Sequence, residues 1–441
     1  MRKHEAFKGF VCMALLMLVA GTTAAQQTAV EDLRAEVDRR VAEIENKVIG
    51  IRRDIHEHPE LGNREFRTAG LVAEHLRSLG IEVQTEVAHT GVVGLLRGGL
   101  PGPVVALRAD MDALPVTELA DVPFASRVIT EYNGQEVGVM HACGHDVHTA
   151  VLMGAAEVLA GMRDRLPGSV KFIFQPAEEG APAGERGGAA LMIEEGALEN
   201  PRPEVIFGLH TGLSEVGTIR YRAGGMMASA QTLQIKVKGR QTHGASPWGG
   251  VDPIVVASQI VLGLQTIISR QSDITTAAAV ITIGSIHGGV RSNIIPDSVY
   301  MVGTIRTLDL GMQERIEQRI RRTVQGIAQS AGTTAEVFIS EGLPITYNDP
   351  ELTRRMAPTL ARVARGGDAV ESPPWTGAED FSYYQQEIPG MFVFLGGVPE
   401  GVDPTDAAPH HSPLFFFDEG GIPYGIRTLT HLVVDYMDMQ N

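Results

Sequence analysis

Cysteine is nearly absent: the 441-residue chain has two, Cys12 and Cys143. That excludes a disulfide-built scaffold. Aromatic residues are scarce at 5%, while glycine reaches 50. The mixture suits an α/β enzyme with many tight turns better than a β-sandwich. Positive charge is also short, with 37 Lys and Arg against 53 Asp and Glu and a net charge of −16. The deficit argues against nucleic acid or an anionic membrane surface as partner. Low-complexity tracts, coiled-coil heptads and internal repeats are missing. What is present is 44% hydrophobic and 20% charged residues. A core is therefore within reach, and the length suits about two to three domains.

An unbroken apolar run of 11 residues covers Phe10–Ala20. As a helix it rises about 16 Å, short of a bilayer core of roughly 30 Å. Arg2, Lys3 and Lys8 precede it as a basic start, and Gly21-Thr22-Thr23-Ala24-Ala25 follows it. Basic start, apolar run and small residues have the layout of a cleavable secretory signal over 1–25. Export to the periplasm or beyond is expected, with no membrane attachment after cleavage. No other stretch is expected to be long and apolar enough to span. Cys12 leaves with the signal, so Cys143 becomes a lone thiol in an oxidising compartment. Such a thiol is either buried and inert or kept for its chemistry.

Apolar residues at three- and four-residue spacing, from Val30 through Leu33, Val37, Val41, Ile44 and Val48 to Ile51, predict a helix over 28–58. Val92–Leu96 and Val104–Ala109 read as strands around a Gly-Pro turn. A helix over 147–162 and buried strands at Val170–Phe174 and Val205–Leu209 follow. Strands alternating with helices predict an α/β fold with a mixed, largely parallel sheet. Over 226–343 the order becomes β-α-β-β-α-β, a ferredoxin-like unit. The α/β pattern then resumes and ends in a helix over 420–438. The expected organisation is a discontinuous catalytic domain, 26–225 and 344–441, with 226–343 inserted into it.

Chemistry concentrates in four places. His141-Ala142-Cys143-Gly144-His145-Asp146-Val147-His148 packs three histidines, a cysteine and an aspartate into one run. Imidazole and thiolate suit borderline divalent metals, and the glycine lets the chain bend so that Cys143 and His145 face one ion. The alternative is a buried cysteine among surface histidines. Phe172-Ile173-Phe174-Gln175-Pro176-Ala177-Glu178-Glu179 runs a buried strand into two acids. One suits a metal and the other a general base; a solvated acidic loop is the alternative. Val205–Leu209 ends in His210, and His410-His411 precedes the last helix. Adjacent histidines point apart, so one of that pair at most is a ligand. Together the donors exceed one tetrahedral site and suit two metals sharing a ligand.

The runs Arg108-Ala109-Asp110-Met111-Asp112-Ala113-Leu114-Pro115, Met140-His141-Ala142-Cys143-Gly144-His145-Asp146 and Gln175-Pro176-Ala177-Glu178-Glu179-Gly180 resemble the amidohydrolase branch of the aminoacylase and carboxypeptidase G superfamily. That branch includes hippurate hydrolases, N-acyl-amino-acid amidohydrolases and plant auxin-conjugate hydrolases. The resemblance implies two divalent metal ions, manganese first and zinc or cobalt otherwise. It makes Cys143 the bridging ligand, and His145, Glu179, His210 and His411 the remaining ligands. Glu178 becomes the general base and Asp112 the acid that orients the site. The runs Thr242-His243-Gly244-Ala245-Ser246-Pro247 and Gly288–Pro296 resemble motifs of the family's lid and dimerisation domain. In that reading His243 stabilises the oxyanion in a partner subunit's site, Asn293 and Arg306 contact substrate, and the protein is a homodimer. The activity implied is hydrolysis of N-acyl amino acids or small peptides. Two other classes compete. A metal-free cysteine hydrolase using Cys143 leaves Glu178, Glu179 and His411 without work. An exported solute-binding protein leaves Cys143 unexplained.

Overall fold

The computed structural model describes residues 3–440, with side chains from Val30 onward. The expected signal at 1–25 therefore lies outside the described side chains. The chain divides into two compact units. One comprises Met1–Arg220, Arg354–Val370 and Val393–Asn441; the other comprises Tyr221–Thr353 and Glu371–Phe392.

The first unit joins helices to an eight-stranded sheet. The long helix Lys3–Glu57 covers 28–57 of the stretch predicted at 28–58. Val37, Val41, Val48 and Ile55 are buried along it, a four- and seven-residue stripe on one face. It packs on His145–Ala160 and Ile422–Asp438. The three helices meet at Gly154, where an added Cβ would lie 2.8 Å from Ile426 and 3.1 Å from Val48. Any side chain there would wedge them apart.

The strand order is Glu82–Val87, Gly91–Arg97, Pro167–Gln175, Leu100–Asp110, Val205–Glu215, Gly390–Val398, Ile219–Tyr221 and Ala369–Glu371. Leu100–Asp110 runs parallel to both of its neighbours. The pairs at the start of the order are antiparallel, so the sheet is mixed with a parallel centre. Residues 106–110 are fully buried, as a central parallel strand requires. The two strands expected around the Gly-Pro turn are present at 91–97 and 100–110, yet they do not pair with each other, because Pro167–Gln175 lies between them. Gly98 and Leu100 donate their amides to Gly168 and Leu166 instead. The short connection passes over the start of the intervening strand, which alternation in the sequence does not reveal.

In the second unit a four-stranded antiparallel sheet has the order Ala279–His287, Ser298–Thr307, Gln231–Lys238 and Ala335–Ile339. Along the chain, the elements run strand, helix, strand, strand, helix, strand. Leu233, Ile235 and Val237 alternate inward and meet Ile316, Ile320 and Val324 of helix Leu310–Ser330. Burying each such side chain stabilises the unit by about 1.5–3 kcal/mol. Asp252 caps the other helix, Pro253–Gln271, by accepting the Ile254 amide at 2.9 Å. This helix is long and apolar enough to cross a membrane by length and composition, which corrects the expectation that nothing after the signal is. Its Val256, Ile260, Leu264 and Ile267 face is packed in the core of the unit.

Candidate metal centre

The helix His145–Ala160 begins immediately after Gly144, whose φ is +92°. A Cβ there would lie 2.5 Å from Thr211 Oγ1, so position 144 requires glycine for both conformation and space. The sharp entry buries Cys143 and turns His145 inward. Thr211 secures the bend by donating its hydroxyl to the Cys143 carbonyl at 2.9 Å.

Two aspartates at the end of strand Leu100–Asp110 organise the floor. Asp110 accepts from His148 Nδ1 at 2.6 Å and from Arg108 at 2.6 Å. His148 Nε2 in turn accepts the Thr211 amide at 2.8 Å. Both nitrogens of His148 are therefore engaged by protein, and it serves as a support. Asp112 Oδ1 lies 3.2 Å from His145 Nδ1. That contact leaves His145 Nε2, which is buried and has no hydrogen-bond partner.

The turn carrying the two acids is held by its backbone. Ala177, Glu178 and Glu179 donate three successive amides, to Glu65 at 2.9 Å and to the two oxygens of Asp112 at 3.0 Å each. Ala177 sits at φ +51°, unusual for a residue with a side chain. Two buried carboxylates thus fix how Glu178 and Glu179 leave the strand.

His210 lies inside the strand Val205–Glu215, which continues past the end expected at Leu209. Its Nδ1 donates to the Thr211 carbonyl at 2.7 Å, and its Nε2 lies 3.4 Å from Cys143 Sγ. Fixing the proton on Nδ1 frees Nε2 as a ligand. His411 adopts φ +68°, donates its amide to Ala142 at 2.8 Å and brings Nε2 to 2.9 Å from Glu179. Its neighbour His410 turns instead to Thr211 Oγ1 at 3.2 Å.

The potential ligand atoms cluster. Cys143, His145 and His210 form one set within 4.8 Å, and Cys143, Glu179 and His411 form another. His145, Glu178 and Glu179 make a third, with His145 Nε2 at 4.0 Å from Glu178. Thiol, imidazole and carboxylate donors fit borderline divalent ions. The buried, unpartnered Nε2 of His145 fits the same purpose.

Electrostatics match the crowding. Burial and the nearby carboxylates of Glu179 and Glu178 push the Cys143 thiol well above its ordinary pKa. Burial alone would lower His145, but Asp110 and Asp112 outweigh it and raise the pKa to about 10. Burial, aided by His148 and His410, holds His210 neutral. Burial opposes the charge on Glu179, yet His411 and His145 keep its pKa below the usual range. Burial and the charge of Asp112 raise Glu65 to about 8.

The structure therefore brings Cys143, His145, Glu178, Glu179, His210, His411 and Asp112 together. His243, Asn293 and Arg306 belong to the second unit. There His243 pairs with Ile294, next to Asn293, whose carbonyl accepts the Gly244 amide at 2.8 Å. Arg306 lies in strand Ser298–Thr307, and partial burial lowers its pKa. Sequence reasoning missed Glu65, the Asp110–His148 pair and a support behind the helix start. In that support Arg52 and His56 reach Asp146 at 2.7 and 2.8 Å. Charged residues inside apolar stripes were the available signal for Arg52 and His56. His141 is buried beside His56, with ring centroids 6.3 Å apart.

A model of peptidase family M20/M25/M40 matches residues 106–435. Thermostable carboxypeptidase 2 of Saccharolobus solfataricus is 43% identical over 92% of this chain and 99% of its own length. N-acetyl-L-cysteine deacetylase of Bacillus subtilis is 36% identical over 86% of this chain and 85% of its own. The crystal structure of the Bacillus subtilis YXEP protein, a dinuclear metal-binding peptidase of family M20, superposes with a TM-score of 0.76 at 35% identity. That match covers 90% of this chain and 99% of YXEP.

Proposed function

Because the chain belongs to peptidase family M20/M25/M40, we propose that it is a metal-dependent amidohydrolase cleaving N-acyl or N-aroyl amino acids or small peptides. The observation that carries this reading is the pair of donor sets meeting at Cys143 beside Glu178. Cys143, His145 and His210 would hold one divalent ion, and Cys143, Glu179 and His411 a second. Manganese is favoured, with zinc or cobalt as alternatives. When bound, such ions supply Lewis-acid charge that favours hydroxide near neutral pH and polarises a carbonyl.

The chain's own residues then have distinct tasks. Glu178 takes the proton of the attacking water and returns it to the leaving amine. Asp112 holds the Glu178 amide and the His145 ring in place. His243 accepts the Ala245 amide on Nδ1 at 3.0 Å, so its proton sits on Nε2, a donor suited to an oxyanion. That role belongs to the neighbouring subunit's site of a homodimer, with 226–343 as the lid and dimerisation module. Asn293 orients substrate, and Arg306 clamps its carboxylate. The chain works outside the cytoplasm, in the periplasm or beyond, after loss of residues 1–25.

A cysteine-nucleophile mechanism fits the site poorly. Such a thiol needs a depressed pKa, whereas burial and acidic neighbours raise that of Cys143. The deciding experiment measures amine release from a panel of N-acyl amino acids, after metal is stripped and then restored. Loss and recovery of turnover are expected. Turnover that ignores the chelator but stops on alkylation would overturn the reading.

A further inference from the structure

Thr211 follows His210 in the strand Val205–Glu215 and is buried. Its amide donates to His148 Nε2 at 2.8 Å, and its carbonyl accepts His210 Nδ1 at 2.7 Å. Those two are main-chain bonds, open to any residue except proline. The hydroxyl contacts belong to the side chain. Oγ1 lies 2.9 Å from the Cys143 carbonyl and 3.2 Å from His410 Nε2. A carbonyl can only accept, so it takes the hydroxyl proton. The hydroxyl oxygen is then left to accept the Nε2 proton of His410.

We propose that the Thr211 hydroxyl is a positioning group that couples the two donor sets and holds the second one together. The inference rests on the two-metal amidohydrolase reading and deepens it, by naming what sets the affinity of the second ion. Cys143 belongs to both sets, whereas His411 belongs to the second alone of the two. Two segments, 142–143 and 410–411, carry these donors, and two links join the segments. One is direct, from the His411 amide to the Ala142 carbonyl at 2.8 Å. The other runs from the Cys143 carbonyl through the Thr211 hydroxyl to His410.

His411 depends on that second link more than the other histidine donors do. Its φ of +68° is a left-handed conformation, which a residue with a side chain keeps only where its surroundings enforce it. Its side chain is 55% exposed, while His145 and His210 are buried. Asp112 orients His145, and the Thr211 carbonyl orients His210. Neither support uses the hydroxyl. Deleting the hydroxyl therefore loosens the 410–411 segment and the second set, and the first set keeps its supports.

The test measures manganese and zinc binding to the full chain by equilibrium dialysis with elemental analysis, beside kcat and KM on an N-acyl amino acid. The wild type should hold two ions per chain. Thr211→Val keeps nearly the same shape and the main-chain bonds, and loses the hydroxyl. It should lower the affinity for one ion by about 10–100-fold, the range for lost partners of metal ligands, and leave the other within about twofold. Turnover should fall at limiting metal and return in excess metal. Thr211→Ser, which keeps the hydroxyl, should hold both ions. His410→Phe removes the far end of the link and should reproduce the loss, even where Thr211→Val fails to fold. On a His411→Ala background, Thr211→Val should change metal binding no further. Wild-type affinities in Thr211→Val or His410→Phe, an equal loss of both ions, a serine variant that has lost an ion, or a further loss on the His411→Ala background each overturn the coupling while amide hydrolysis stands. A wild-type chain that binds fewer than two ions, or that turns over in the presence of a chelator, overturns the two-metal reading and the coupling with it.

Discussion

His145 and Asp112 meet at 3.2 Å, Nδ1 to Oδ1, deep inside the first unit. The contact fixes the ring and aims its other nitrogen at the cluster of Cys143 and His210. Asp112 also accepts the amides of both Glu178 and Glu179. One side chain therefore positions His145, the proposed ligand, and Glu178, the proposed base, together.

Substitution separates those two roles. Glu178→Gln should lower kcat by about 10²–10⁴ while metal content stays normal, because only proton transfer is lost. Asp112→Asn should instead weaken metal affinity by about 10–100-fold, since one oxygen becomes an amide facing backbone N–H donors. Elemental analysis beside kcat distinguishes them. Wild-type turnover in Glu178→Gln would remove it as the base.

Metal loading should release protons. Without an ion, burial and the acids around it keep Cys143 a thiol, and Asp110 and Asp112 keep His145 protonated up to about pH 10. Both must deprotonate to act as ligands. Affinity should rise with pH, up to about tenfold per unit for each proton displaced. Calorimetry in buffers of different ionisation enthalpy reads the release directly. A binding enthalpy independent of buffer would contradict the ligand assignment.

Glu65 should make the metal-free fold less stable as pH rises. Burial and Asp112 raise its folded pKa to about 8, against 4.5 for the ordinary side chain. A raised folded pKa means that its contribution is full below about 4.5 and is lost as pH climbs through about 8. Glu65→Gln copies the uncharged acid in shape and keeps an acceptor for the Ala177 amide. The stability of the wild type relative to this variant should therefore fall between pH 5 and pH 8, by at most about 1.4 kcal/mol per pH unit. Urea unfolding at several pH values measures it, and parallel profiles would refute it.

Much of this arrangement was legible from the chain alone. The apolar spacing from Val30 to Ile51 and the β-α-β-β-α-β order over 226–343 are local patterns that survive folding. The donors were visible because Cys143, His145, Glu178 and Glu179 sit in short runs at the ends of buried elements. Long-range pairings were not visible. Nothing local says that Pro167–Gln175 separates two strands joined by a short turn, or that Glu65 reaches the Ala177 amide. His210 looked like a strand end because apolar residues stop there, whereas polar Thr211 and Ser214 continue the buried strand. The Asn133-Gly134 pair is a readable turn signal in the sequence, and the hairpin of Ile129–Tyr132 and Gln135–Gly138 turns there.

That hairpin has a consequence for how the protein can change. Its turn is encoded by two adjacent residues, its strands are largely exposed, and it pairs only with itself among the described strands. It can lengthen, shorten or swap its side chains without disturbing the three-helix contact at Gly154 or the carboxylates beneath the donors. The hairpin and the donor cluster thus reside in separately mutable parts of one unit, so the outer wall of the first unit's cavity, where Thr130, Tyr132 and Asn133 line it, can vary while the buried donors stay in place.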